Sequence, residues 1–352
     1  MVAVVIVGGM KSLWIARWSA FCALVAFSFS LIAADTAPQQ WVHYQGKSGP
    51  GKGKKILFIS GDEEYRSEEG LPMMAKILAM RHGFDCTVVF ALNPADGTID
   101  PNNQTNIVGI EKIKDADMVV MLLRFRELTD AQFKLFDDYL NSGKPIVGLR
   151  TATHSFQVSR NPNSAFARYD WRGKTPWEGG FGQHVLGDTW ISHHGNHGKE
   201  STRAQFNPAQ LKNPILTSVK DVWGPTDVYG IKHLPADATV LAYGQILKGM
   251  NPTDEAVTDK RNDPMMPLIW TRDYVGDKGK TSKLLATTMG AATDLQNEDL
   301  RRLLVNFTYV SLGMTKKLPA KANVDYVDEY KPTAFGFNKY QKGLKPSDFN
   351  LK

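Results

Sequence analysis

Cysteine is nearly absent from this chain: Cys22 and Cys86 are the only two in 352 residues. Cys22 falls in a segment that reads as a cleaved leader, so the mature chain keeps one and cannot close an intrachain disulfide. Cys86 lies in the apolar run Phe84–Phe90 and reads as an inert core residue. Neither a Gly-x-Gly-x-x-Gly fingerprint nor a Walker A loop occurs, which argues against a nucleotide cofactor. There is no Gly-x-Ser-x-Gly elbow for a Ser-His-Asp triad and no His-Glu-x-x-His zinc motif. Positive charge is mild: the formal charge of +6 falls to +4 once Lys11 and Arg17 leave with the leader. No basic run is interleaved with aromatics, so no nucleic-acid partner is expected. No apolar run reaches the ~20 residues of a membrane span.

What is present begins with that leader. Lys11 and Arg17 precede the apolar stretch Ser19–Ile32, and Ala33 and Ala34 follow. This is the pattern of a signal peptide over 1–34, and it predicts a periplasmic or extracellular protein. Residues 35–53, rich in Pro, Gln, Gly and Lys, read as a flexible lead-in. Strands and helices then alternate. Apolar runs at Lys55–Ser60, Phe84–Phe90, Ala116–Leu123 and Pro145–Leu149 predict strands, and helical spacing over Glu68–His82 and Thr129–Asn141 predicts the helices between them. Strands this continuously apolar are buried on both faces. The expected class is therefore α/β, a doubly wound, mostly parallel sheet with helices on both sides. Residues 155–183 form a long polar loop carrying Tyr169, Trp171 and Trp177, a length usually tied to function. Further strands are predicted at Asp188–His193, Thr239–Leu247, Pro267–Tyr274 and Leu284–Met289. A last helix spans Asn297–Leu312, and a Lys/Pro/Tyr-rich tail occupies 314–352.

Candidate chemistry gathers at predicted strand ends, where ligands bind α/β sheets. After the fourth strand, Gly148-Leu149-Arg150 has the form of a nucleophile elbow with an arginine at the nucleophile's place, and His154 follows. Arg150 and Arg124 could converge on a carboxylate or a carbonyl oxygen. Equally, Arg150 could pair internally with Asp62 or Glu64 and form the site floor. Glu64 and Tyr65 after the first strand could meet sugar hydroxyls, or simply suit a helix start that Ser67 caps. His184, His193, His194 and His197 are a local excess of imidazoles, suited to acid–base work or to zinc. Asp227 and Tyr229, two apart, would point to one side of an extended chain, where Asp227 could orient a histidine or act as base. Tyr169, Trp171, Trp177 and Trp190 are candidates for stacking on sugar rings.

In their order, Lys55–Gly61, Ala116–Met121, Gly143–Leu149, His193-His194-Gly195, Asp227-x-Tyr229, Pro267–Trp270, Thr287–Gly290 and Ser311–Gly313 resemble the ThuA-like (trehalose-utilisation) family. The resemblance spans 54–313 and implies the class I glutamine amidotransferase-like, flavodoxin-like fold. It departs at the elbow, where the family places a Gly-x-His turn and this chain has Arg150, and at Val228, where a second carboxylate would stand. It implies a secreted carbohydrate-utilisation protein. The combined reading is an enzyme acting on a sugar or keto-sugar by proton abstraction, through elimination, isomerisation or hydrolysis, without a Cys or Ser nucleophile. His154 or His194 would be the base, Asp227 its partner and Arg150 the stabiliser of enolate charge. Glu64, Tyr65, Arg124, Trp177 and Tyr229 would contact the carbohydrate, and a divalent metal such as zinc could sit on His193 and His197. The alternative is a non-catalytic sugar-binding module of a periplasmic degradation system.

Overall fold

The computed structural model describes residues 38–174 and 176–352, and the leader expected at 1–34 lies outside them. Ten strands are formed among the described residues: β1 (Trp41–Tyr44), β2 (Lys55–Gly61), β3 (Asp85–Phe90), β4 (Met118–Leu123), β5 (Ile146–Leu149), β6 (Thr202–Phe206), β7 (Trp223–Gly224), β8 (Thr239–Ile246), β9 (Met266–Val275) and β10 (Thr281–Thr287). Three helices, α1 (Ser67–His82), α2 (Asp130–Leu140) and α3 (Glu298–Ser311), accompany them. All ten strands join one sheet in the order β1-β3-β2-β4-β5-β10-β9-β8-β6-β7.

The class is α/β, as the alternation predicts. The expectation of a mostly parallel sheet holds for one half. β3, β2, β4, β5 and β10 run parallel; β1 and the β9-β8-β6-β7 extension run antiparallel. The sheet is therefore mixed. In β2, Ile56 and Phe58 face one apolar cluster with Leu71, Met74 and Leu78 of α1 and Leu300 and Leu303 of α3. Leu57 and Ile59 face the other, with Phe133 and Phe136 of α2. This is the period-two alternation of a strand covered on both sides, and each buried Leu, Ile or Phe contributes about 1.5–3 kcal/mol. A capping box starts α2, Thr129 accepting from the Gln132 N–H and the Gln132 side chain answering the Thr129 N–H.

Three sequence expectations change. The lead-in contains β1, whose Val42 and Tyr44 turn into the core. Asp188–His193 forms no strand; its single ladder contact is His193 against Tyr229. Buried Asp188 instead accepts from the backbone N–H groups of Thr189, Lys232 and His233, fixing the segment through a side chain. The tail has a defined course: Arg301 and Arg302 of α3 donate to the Val324 and Ala322 carbonyls, and Phe349 stacks on Phe90 at 5.8 Å. Among the described residues no helix is long and apolar enough to cross a membrane.

Candidate active site at the carboxyl ends of the parallel strands

Strand order reverses between β2 and β4: the chain leaves β2 for β3 on one side and returns to β4 on the other. The crevice outside that switch point is where open α/β sheets bind ligands. The loops that follow β2, β4 and β5 all open there, and each contains a non-glycine residue in the left-handed region, Arg66 (φ 58°), Phe125 (φ 51°) and Arg150 (φ 45°). Only two other non-glycine residues among those described share that conformation. Left-handed backbone costs about 1–2 kcal/mol per residue, and such strain gathers where function requires it.

Each loop is pinned from below. After β2, Asp62 accepts from the N–H groups of Glu64 and Tyr65 and from the Thr151 hydroxyl. Burial, then repulsion from Glu63, raises the Asp62 carboxyl to about 6. Ser67 is not the expected N-cap: it is the first helical residue, and its hydroxyl accepts from the Asp62 N–H at 3.0 Å. After β4, Glu63 binds both Arg124 and Arg126. After β5, Arg150 is fully buried. Its guanidinium donates to the Asp227 carbonyl (2.6 Å), Asp227 Oδ1 (2.8 Å), the Thr288 carbonyl (2.7 Å) and the Tyr65 hydroxyl (3.1 Å). It lies over the Tyr229 ring at 3.8 Å and the Tyr65 ring at 4.6 Å.

Asp227 is the hub. Its carboxylate, with 0% side-chain exposure, meets Arg150 on Oδ1, His197 Nδ1 on Oδ1 at 2.9 Å and His193 Nδ1 on Oδ2 at 2.7 Å. Burial alone would raise this carboxyl; the Arg150 charge and the two histidine hydrogen bonds outweigh it and hold it well below the usual carboxylate range. The two imidazole centroids are 4.6 Å apart, and about a third of each side chain is exposed. His197 Nε2 also meets Glu64 Oε1 at 3.3 Å. Hydrogen bonding to Asp227 and then to Glu64 raises the His197 imidazolium to about 9. Beneath, buried Asp294 accepts from the Thr226 N–H and hydroxyl and from the N–H groups of Gly290 and Ala291, which fixes the backbone beside Asp227.

The expected site residues thus separate. Glu64, Arg124, His193, His197 and Asp227 come together. Arg150, Tyr65 and Tyr229 lie under them as a buried floor. That corrects the placement of Arg150 at a reacting oxygen: with no exposed surface and four acceptors, it acts on the cleft through Asp227. Of the two floors expected for it, pairing with Asp62 or Glu64 is replaced by pairing with Asp227. His154 is buried and boxed by Phe125, Trp171, Trp190 and Tyr229. Burial, then the Arg124 and Arg150 charges, hold its ring neutral, well below the ordinary histidine value. His194 turns away, its Nε2 on the Arg261 carbonyl at 2.8 Å. Trp177 is also elsewhere, in the core of the 155–183 loop, stacked on His184 at 4.0 Å. These placements correct His194 as base and Trp177 as sugar platform. The aromatic wall of the cleft is made by Phe125, Trp171 and Trp190, with Phe335 from the tail 5.5 Å from His197 and 5.6 Å from Tyr65. Phe335 carries no local sequence signal, because it stands in a Lys/Pro/Gly-rich stretch.

His193, His197 and Asp227 each offer a ligand atom within 4.8 Å of the others and could hold a metal ion. Two imidazoles and a carboxylate, with Glu64 alongside, are donors that suit zinc. The present Nδ1–carboxylate distances of 2.7 and 2.9 Å are hydrogen-bond lengths, shorter than the roughly 3.3 Å edge of a tetrahedron with ligands 2.0–2.1 Å from a metal. The arrangement as it stands is therefore a His–Asp–His hydrogen-bonded group.

No protein-family profile matches the sequence, and no curated protein matches it. Among solved structures, a ThuA-like protein of Parabacteroides merdae is similar at 14% identity, covering 74% of this chain and 90% of its own, with a TM-score of 0.47. SMU.1228c (12% identity, 72% and 99% covered, TM-score 0.35) and the N-terminal domain of mmIFT52 (12%, 74% and 97%, 0.37) are also similar. At such scores the likeness is loose, and the function of this chain rests on its own residues.

Proposed function

We propose that this chain is an exported carbohydrate-utilisation protein of the ThuA-like kind, built on a flavodoxin-like, glutamine amidotransferase-like scaffold. In this reading it is an enzyme that removes a proton from the carbon beside a carbonyl of a sugar or keto-sugar. The observation that carries the proposal is the pair of partly exposed imidazoles held on one buried carboxylate at the switch-point crevice. With Nδ1–H donated to Asp227, His193 presents the lone pair of Nε2 outward, the form of a general base. His197, kept protonated by Asp227 and Glu64, presents the acid.

His193 Nε2 takes the proton, and the C–H electron pair forms the carbon–carbon double bond of an enediol. The carbonyl oxygen gains the His197 proton. In isomerisation His193 then returns its proton to the neighbouring carbon while the second enediol hydroxyl gives its proton back to His197 and becomes the new carbonyl. In elimination the enol hydroxyl gives its proton back to His197, the bond from the β-carbon to the departing oxygen breaks, and His193 protonates that oxygen. Asp227 remains ionised throughout and stabilises whichever ring carries the charge, as the carboxylate of a triad does. Arg150 keeps Asp227 ionised without touching substrate, and neutral His154 belongs to the apolar wall. Should a divalent ion occupy His193, His197 and Asp227, it would supply Lewis-acid polarisation of the same carbonyl.

The test is deuterium wash-in. A keto-sugar such as methyl 3-keto-glucoside, incubated in D2O, should exchange the hydrogen beside its carbonyl, and His193→Ala and Asp227→Asn should each slow this by about 10²–10⁴-fold. Exchange no faster than in buffer would remove the catalytic reading. A ligand-dependent rise in melting temperature with unchanged ligand mass would then identify a binding module.

A further inference from the structure

Arg124 stands across Glu64 from His197, in an arrangement that the acid–base reading does not use. Its guanidinium lies over two aromatic rings, Phe125 at 4.4 Å and Phe337 at 4.8 Å. Phe337 belongs to the C-terminal tail and is itself half exposed. Stacking of this kind holds the plane of an arginine and leaves its N–H edge for in-plane acceptors. Among the described residues the Arg124 side chain donates one hydrogen bond, from Nη1 to Glu63. Glu64 Oε2 lies 3.7 Å from its Nε, beyond hydrogen-bond length. The other oxygen of Glu64 faces His197, so Arg124 and the acid–base group stand at the two ends of one carboxylate.

Three carboxylates, those of Glu63, Asp62 and Glu64, act on Arg124, and two of them are shared. Glu63 is shared with fully buried Arg126 at 3.0 Å, so one carboxylate serves two guanidiniums, and Glu64 is shared with His197. Arg126 is saturated by the Pro101, Asn103 and Arg124 carbonyls, while Arg124 keeps 18% of its side chain exposed. Arg124 therefore keeps free N–H groups on a pre-oriented fork. A fork so placed matches a carboxylate, which can take two parallel N–H···O bonds. The partly exposed rings of Trp190 and Phe335 flank the histidines and offer flat apolar faces of the sort sugar rings pack on.

We infer that the ligand of this cleft is an acidic sugar, its carboxylate held by Arg124 beside Phe125 and Phe337 while the ring lies against the histidines. The inference rests on the carbohydrate reading above and narrows it to uronates. It also makes the C-terminal tail part of the binding site, through Phe337.

Calorimetric titration of the full chain tests this, with glucuronate, galacturonate and mannuronate, as monomers and short oligomers, against glucose, galactose and mannose of matching length. At least one acidic sugar should bind about tenfold or more tightly than its neutral counterpart. Arg124→Gln should bring the two within about twofold, and Arg124→Lys should recover only part of the acidic preference, because it keeps the charge and loses the fork. Phe337→Ala, at a half-exposed position, should weaken the acidic preference several-fold. Neutral sugars binding as well as acidic ones, or a preference unchanged in Arg124→Gln, would overturn the inference and leave the carbohydrate reading standing. Binding of neither class would overturn both.

Discussion

At the scale of single residues, the charged groups of this chain act in linked sets. Asp227 stays ionised against the cost of burial because Arg150, His193 and His197 all bind it. Asp227→Asn keeps the shape and leaves Arg150 buried without its counter-charge. Breaking a buried pair in this way costs about 3–5 kcal/mol, to be read from urea unfolding at pH 7. Since the native Asp227 carboxyl is depressed, its stabilisation is complete above the unfolded value of about 3.9 and is lost as pH falls through the native one. The gap between wild type and variant should therefore close in acid; a gap constant from pH 7 to pH 3 would deny the charge a role. Glu68 is the opposite case. Both its oxygens are buried without a hydrogen-bond partner, and burial raises it to about 8. A raised carboxyl keeps its proton in the native state while the unfolded chain releases it, so stability falls with pH from the ordinary glutamate value of about 4.5 up to about 8. Glu68→Gln should be close to neutral at pH 4 and stabilising by roughly 1–3 kcal/mol at pH 8; equal stability at both pH values would refute the assignment.

At the scale of elements, what the sequence discloses depends on where the apolar residues fall. β2, β3, β4 and β5 are readable because a strand covered on both faces is apolar at nearly every position. Thr129 and the amphipathic pattern of α2 are readable for a similar local reason. β6 is hidden because Arg203 and Gln205 alternate with Ala204 toward the polar end of the sheet, and β7 is only two residues long. The histidine group was legible as a cluster, and Asp227 as a possible partner, but which imidazoles converge depends on the His193–Tyr229 bridge, a contact between distant segments. The tail is the largest surprise. Arg66, buried in left-handed backbone, donates to the carbonyls of Ala334 and Gly336, and the Gly336 N–H answers to the Glu64 carbonyl. The segment that carries Glu64 is thus fastened by residues more than 260 positions away. Ending the chain at Tyr330 should leave the parallel strands protected from hydrogen exchange while amides of 62–66 exchange about tenfold faster or more. Unchanged protection of 62–66 would mean that Asp62 and Ser67 hold the loop without the tail.

At the scale of the molecule, the candidate site lies where the two halves of one sheet meet. Glu64 and Arg150 follow strands of the parallel half, Asp227 lies in the connection between β7 and β8 of the antiparallel extension, and His193 and His197 lie in the segment that leads from β5 to β6. A ligand held by both sets ties the halves together, and anything that binds only the native state raises its stability by RT ln(1 + [L]/Kd). Zinc is the simplest such probe. If His193, His197 and Asp227 form a metal centre, zinc at about 100 times its dissociation constant adds close to 2.7 kcal/mol. Zinc should then raise the melting temperature of the full chain, chelator should reverse the rise, and neither should affect a His193→Ala/His197→Ala variant. Elemental mass spectrometry of the purified chain supplies an independent reading of stoichiometry. Because His197 must give up its proton to ligate a metal and holds it to about 9, apparent zinc affinity should increase with pH between 6 and 9. A melting temperature indifferent to zinc, with no stoichiometric metal in the purified chain, would leave the His–Asp–His group as an acid–base device in its own right, stabilised across the sheet by hydrogen bonds and the Arg150 charge.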